Sequence, residues 1–130
     1  MRTTIVISLA ACFSLSSLLL GADKPTSLVD ARAAIEGNMK TPEGKAFDTK
    51  IGEEFSHNIA TLRPCKDKAA GDLRSFWILL KLDKDGRVQA ALTDQETKMW
   101  PYVRDVMWQT KFSAPPTPGY WIGIYLKLAH

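Results

Sequence analysis

Residues 75–93 read SFWILLKLDKDGRVQAALT. Residues 75–82 form a nearly continuous apolar run of strand length, and residues 87–93 alternate well enough for a returning strand. Between them lies the turn sequence DKDG, in which Gly86 can adopt the positive φ that tight turns require. The stretch therefore predicts a β-hairpin, and its more apolar first strand is expected at the centre of a sheet.

The sequence after the hairpin predicts a helix and a third strand. Pro101 suits the first turn of a helix whose inward side carries Val103, Val106 and Met107. Prolines from 115 onward stop that helix, and residues 120–128 then alternate cleanly. A right-handed crossover leaves room for the first strand between the other two. We expect an α+β fold with a three-stranded antiparallel sheet in the order 2-1-3, the crossover helix on one face and at least one N-terminal helix on the other face.

Two further helices are predicted before the hairpin. Ser27 is an N-cap candidate for a short helix that stops near residues 37–38, and Thr41 with Pro42 marks a second helix. The second helix is expected to end at Pro64. Its apolar face recurs at spacings of four, four, four and three, at Phe47, Ile51, Phe55, Ile59 and Leu62.

The N-terminus has the pattern of a secretory signal peptide. Arg2 precedes an uncharged apolar run of about 16 residues, which is short of the roughly 20 that a membrane span needs. Residues 1–22 are predicted to be this signal, residues 23–40 a short N-terminal helical segment and residues 41–130 a single domain. The alternative is an uncleaved anchor. The predicted location is the periplasm, or the exterior as a secreted protein.

Composition and charge point to no nucleic-acid partner, metal site or catalytic site. Without Arg2 the 17 basic residues fall to 16 against 14 acidic ones, a net charge of +2 with no basic run, so no nucleic-acid partner is expected. His57, His130 and Cys65 do not have the spacing of a metal site. We expect no metal, no cofactor and no enzymatic activity. After cleavage Cys65 is the only cysteine, either buried or available for an intermolecular bond.

The informative feature is aromatic. If the first hairpin strand alternates, Trp77 and Leu79 leave one face of the sheet, where Trp121 and Tyr125 of the last strand join them. Either the second helix covers this patch, or part of it, with Trp100 or Trp108, receives a partner. The last strand is an edge strand without charge from 120 to 126, so an extended chain could pair with it around Ile124. The candidate partner-binding residues are Trp77, Leu79, Trp121, Ile124 and Tyr125.

Four segments together resemble the C-terminal domain of TonB-type energy transducers. They are a D-x-D-G-x-V turn at 83–88, V-x-x-V-M-W at 103–108, K-F-S-A-P-P at 111–116 and the alternating strand at 120–128. The resemblance covers about residues 76–128. It implies a periplasmic domain that grips short peptide segments of outer-membrane transporters by sheet-edge pairing. Because the signal is predicted to be cleaved and no proline-rich spacer is present, the resemblance is carried over for the fold and not for energy transduction.

The sequence thus predicts a non-enzymatic, exported module that binds a protein or peptide through a sheet edge or an aromatic patch. One alternative is a structural homodimer that associates with itself across the same edge. A second alternative is a component of a TonB-type energy transducer. No integral membrane span is expected once the signal is removed.

Overall fold

The structure is a computed structural model that describes residues 27–128. The predicted signal peptide lies outside these residues. The elements, in chain order, are α1 (Leu28–Asn38), α2 (Pro42–His57), a 3-10 helix (Ile59–Leu62), α3 (Arg63–Lys66), β1 (Phe76–Leu82), β2 (Val88–Thr93), α4 (Trp100–Gln109) and β3 (Tyr120–Leu126).

The three strands form one antiparallel sheet in the order β2-β1-β3, which confirms the predicted α+β class and topology. β1 lies at the centre, with Leu80 opposite Ala91 of β2 on one side and opposite Ile122 of β3 on the other. Five of the seven side chains of β1 are fully buried or nearly so. A central strand that is covered on both faces reads as a continuous apolar run, as β1 does.

The hairpin turn is held by its own first residue. The Asp83 carboxylate accepts hydrogen bonds from the backbone N–H groups of Asp85 and Arg87 at 2.8 and 2.9 Å. These bonds stabilise the ionised form, with the Arg87 N–H as the largest cause, and lower the pKa of Asp83. Gly86 follows at a φ of +89°, and its carbonyl accepts a 2.9 Å bond from the Phe112 N–H. The turn therefore also holds the segment that leads from α4 to β3.

Both predicted N-caps are confirmed. The Ser27 and Thr41 hydroxyls accept hydrogen bonds from the backbone N–H groups three residues on, at 3.1 and 2.9 Å. The predicted end of α2 at Pro64 is wrong, because α2 ends at His57. Asn58 bonds through its side chain to the Glu54 carbonyl at 2.9 Å, so it competes with the helical pattern there. Pro64 instead lies in the first turn of α3, where a missing N–H costs little.

The helix that covers the Trp77 side of the sheet is α1. This confirms that an N-terminal helix lies on that face, but the prediction that α2 forms the cover is wrong. α2 and α4 share the opposite face, where Phe47 and Ile51 join the core cluster of Phe76 and Val103. On the Trp77 side, α1 packs Ala31 against Leu79 of β1 and Trp121 of β3. The β1 side chains on the face of the sheet that α4 covers are Phe76, Ile78, Leu80 and Leu82. This row is long, and both larger helices, α2 and α4, bury it.

Substitution of Gly86 tests the hairpin turn. A Cβ at this position would lie 2.0 Å from the Phe112 carbonyl oxygen, at a φ that L residues avoid. We expect Gly86→Ala to lower the free energy of unfolding in urea by at least about 2 kcal/mol. Gly52→Ala is the matched control, because a Cβ there meets no atom within 4 Å, and it should stabilise the helix by about 1 kcal/mol. Equal effects of the two substitutions would contradict this account of the turn.

Candidate functional site

The chain passes from one face of the sheet to the other around the outer edge of β3. α1 lies on the Trp77 face and α2 on the core face, and only residues 39–41 connect them. At the crossing point the Asn38 side-chain amide donates a 3.1 Å hydrogen bond to the Trp121 carbonyl. Asn38 and Met39 also lie beside Tyr120 and Ile122. The link therefore covers the beginning of the β3 edge.

Beyond Trp121 the backbone of β3 has an outward-facing side. The Trp77 N–H donates to the Asp94 carboxylate at 2.9 Å, and the Trp77 carbonyl accepts from the Thr93 hydroxyl at 2.9 Å, so the backbone of Trp77 faces β2. Trp77 stands opposite Tyr125. Since successive residues of a strand direct their N–H and C=O groups to opposite sides, those of Tyr125 and Gly123 point away from the sheet. Within residues 27–128 no strand pairs with this side of β3.

A groove of about 320 Å³ opens next to this edge. Its wall is the side of α1 that faces Trp77, and its floor is the sheet. Gly123 lets both walls approach the floor closely, because a Cβ there would lie only 3.3 Å from the Ile35 side chain and 3.5 Å from the Trp77 ring. The groove therefore lies between α1 and the Trp77 ring and is narrow directly above Gly123. The lining residues are Arg32, Ile35, Glu36, Trp77, Leu79 and Gly123.

The structure divides the predicted aromatic patch. Trp77 and Tyr125 are 39% and 51% exposed, and their rings contact each other with centroids 5.1 Å apart. Leu79 and Trp121 are buried beneath α1. The Ile124 side chain is buried in the core on the other face. The exposed part of the patch therefore lies beside the free portion of the β3 edge.

Sequence reasoning did not identify the residues of α1 as part of the site. Arg32, Ile35 and Glu36 lie on a helix with a thin apolar stripe, of which only Ala31 is fully buried. Gly123 carries a usable signal, since a glycine inside an otherwise regular strand often marks a place where another group approaches the backbone closely. That signal indicates a gap without indicating which element borders it.

Charges are sparse around the groove. The Arg32 guanidinium lies 3.3 Å from the Asp94 carboxylate in an exposed ion pair, which contributes little to stability. Glu36 and Lys127 are exposed. The N–H of Leu128 bonds to the Ser75 hydroxyl and its side chain is buried in the core, so the strand alternation continues past β3. Lys127 consequently lies on the Trp77 side and is the first charged residue along the edge.

A second, shallower groove of about 180 Å³ lies between α3 and α4. Tyr102 is exposed at its rim, with the Lys68 ammonium 5.5 Å from the ring centroid. Cys65 at its base is 4% exposed, and burial, helped by the nearby Asp105 carboxylate, raises the pKa of its thiol. Of the two alternatives for Cys65, buried or available for an intermolecular bond, the structure shows the buried one, and within residues 27–128 its thiol has no disulfide partner.

Of the two tryptophans of α4, one is buried and the other is exposed. Trp100 is buried edge-to-face against Phe76, with ring centroids 6.1 Å apart, and Trp108 is 45% exposed. Neither residue lines the groove beside β3. They are therefore distinct from the site formed by α1 and β3.

Comparison of the chain with protein families, with curated proteins and with solved structures finds no match. The resemblance to TonB-type C-terminal domains therefore stays a prediction. Within residues 27–128 no helix is both long and apolar enough to cross a membrane. In the same residues no three histidine, cysteine or acidic side chains are grouped as metal ligands.

The cover of α1 over the sheet can be tested with two alanines of the same helix. Ala31 is completely buried against Leu79 and Trp121, whereas Ala33 is exposed. We expect Ala31→Lys to lower the free energy of unfolding by at least about 2 kcal/mol, because the lysine must separate α1 from the sheet. Ala33→Lys should change it by less than about 0.5 kcal/mol. Urea unfolding measures both, and a small effect of Ala31→Lys would mean that α1 does not pack on this face.

Proposed function

We propose that this protein is an exported, non-enzymatic module of the cell envelope that binds an extended peptide segment along the outer edge of β3. The observation that carries the proposal is the outward direction of the backbone groups of Gly123 and Tyr125. An extended chain satisfies such groups by adding a strand to the sheet. The signal pattern in residues 1–22 supports export.

The neighbouring surfaces favour β3 over the other edge of the sheet. β2 has a bridge between Arg87 and Lys111 at its beginning, and α4 packs against it. β3 has an uncharged free edge with an aromatic pair and a groove directly beside it. Backbone pairing supplies affinity in this mode of binding, and pockets for alternate side chains supply specificity.

Self-association across the same edge is the competing function. The position of Asn38 disfavours self-association across this edge. A second β3 strand that pairs antiparallel around Ile124 would bring its Lys127 opposite Trp121. The Trp121 carbonyl is already bonded to Asn38. A short peptide that ends before this point meets no such obstacle. Energy transduction of the TonB type would require the same edge and also a membrane anchor. Identifying the N-terminal residue of the purified protein by mass spectrometry tests whether residues 1–22 are retained as that anchor.

A proline in the outward register tests edge pairing. The full chain, expressed with its own leader and purified, is screened against a phage-displayed library of random dodecapeptides, and the selected peptides are synthesised. Tyr125→Pro removes an N–H that points away from the sheet, so the domain should fold and peptide affinity should fall at least tenfold. Proline at Ile124 is unsuitable, because that N–H faces β1.

Tyr125→Val is the matched control, since valine keeps the N–H and suits a strand. We expect it to bind the selected peptides within about threefold of wild type. The comparison then separates the effect of losing the Tyr125 N–H from the effect of losing the Tyr125 ring. Binding that survives Tyr125→Pro in a folded protein would exclude edge pairing. A library that yields no peptide, together with a dimer at micromolar concentration by light scattering, would favour self-association.

A further inference from the structure

We infer that the β3 site selects an extended segment in which an acidic residue precedes a large apolar residue, aromatic for preference, by four positions. This inference rests on the proposed function and names the chemistry of the peptide. The segment lies antiparallel to β3, with its apolar residue opposite Gly123 and its acidic residue opposite Lys127.

The free length of the edge sets the register. Asn38 occupies the Trp121 carbonyl, so outward pairing begins at Gly123 and extends through Tyr125 to Lys127. Residues opposite these three positions direct their side chains toward the Trp77 face, because directly opposed residues of a sheet share a face. We assign the antiparallel direction because the described ladders of this sheet are antiparallel and such pairing is slightly the more stable per residue.

The position opposite Gly123 is the anchor. Gly123 contributes no side chain, so a peptide side chain opposite it can reach across the backbone and pack on the Ile35 and Trp77 side chains that border the groove of about 320 Å³. That side chain would meet the Ile35 methyl groups and the ring of Trp77, which is 39% exposed in the free protein. A large apolar side chain fills the space, and an aromatic one also gains from contact with the indole ring.

Charge distinguishes the two ends of the segment. Arg32 and Glu36 both line the groove. The Arg32 charge is paired with Asp94, whereas Glu36 forms no ion pair within residues 27–128 and disfavours an acidic peptide residue at the anchor. Lys127 stands four residues along the edge on the same face, with no charged residue between it and Tyr120. An acidic residue four positions before the anchor, in antiparallel register, lies opposite this lysine. Opposite charges in that arrangement attract, modestly and in a salt-dependent way.

Three synthetic peptides and two variants test the inference. The peptides are acetyl-SDTSTFS-amide and its relatives SDTSTAS, without the anchor, and SKTSTFS, with the charge reversed. Dissociation constants come from titrations followed by NMR chemical shifts of the full chain. We expect SDTSTFS to bind at least tenfold more tightly than SDTSTAS and about threefold more tightly than SKTSTFS, the latter difference disappearing in 0.5 M salt.

The variants locate each effect. Gly123→Val narrows the groove further, because its side chain presses on Ile35 and the Trp77 ring, but it keeps the backbone groups. It should therefore weaken SDTSTFS at least tenfold and leave SDTSTAS within twofold. Lys127→Glu should reverse the preference between SDTSTFS and SKTSTFS. Retention of the Phe preference in a folded Gly123→Val protein, or of the charge preference in Lys127→Glu, would overturn the inference.

The outcomes separate this inference from the proposed function. Library peptides that depend on the Tyr125 N–H but lack the acidic and apolar pattern would leave edge binding in place and exclude this specificity. Absence of binding by both the library and the synthetic peptides would exclude both. A preference for SDTSTFS that survives Tyr125→Pro would place the anchor in the groove without edge pairing and would overturn the register.

Discussion

The burial of β1 on both faces is the constraint from which the rest of the structure follows. One alternating row is entirely apolar, and the other has Trp77 and Leu79 beside Lys81, so neither face of the sheet can be left to water. A hairpin and one crossover helix cover only one face. The chain must therefore place a helix on the other, and α1 does so with Ala31 against Leu79 and Trp121. A small residue at the contact lets the helix approach the sheet closely.

The same constraint produces the candidate site. Because α1 and α2 lie on opposite faces and are joined by a three-residue link, the chain must turn around an edge of the sheet, and it does so at Trp121. The link closes the beginning of that edge and leaves the remainder open. α1 covers only part of the face, so a groove remains above Gly123. An open backbone edge and an adjacent groove arise together from the path of one short connection.

Short-range rules predicted much of the fold. The hairpin, its Gly86 turn and the caps at Ser27 and Thr41 depend on neighbours within four residues, and these predictions are confirmed. The end of α2 was missed because periodicity does not reveal that the Asn58 side chain bonds to the Glu54 carbonyl, or that Pro64 lies in the first turn of another helix. The 2-1-3 order followed from the handedness of crossovers, which is a general rule.

The assignment of helices to faces could not be predicted in the same way. α2 has the stronger apolar stripe, yet it packs beside α4, and the thin stripe of α1 suffices where the partner surface is Leu79 and Trp121. The candidate site shares this limit. Trp77 and Tyr125 were identified from alternation, whereas Ile35 lies on a helix and is 42 residues away in sequence from Trp77. Such long-range contacts depend on the whole packing arrangement.

Amide hydrogen exchange along β3 tests the central claim, that half of this edge is free, most directly. In the monomeric protein the amides of Ile122 and Ile124, which face β1, should exchange at least about a hundredfold more slowly than those of Gly123 and Tyr125. The result that would contradict the claim is equal, concentration-independent protection of all four amides. In that case some other part of the chain would already occupy the edge, and neither a peptide nor a second copy could pair with it.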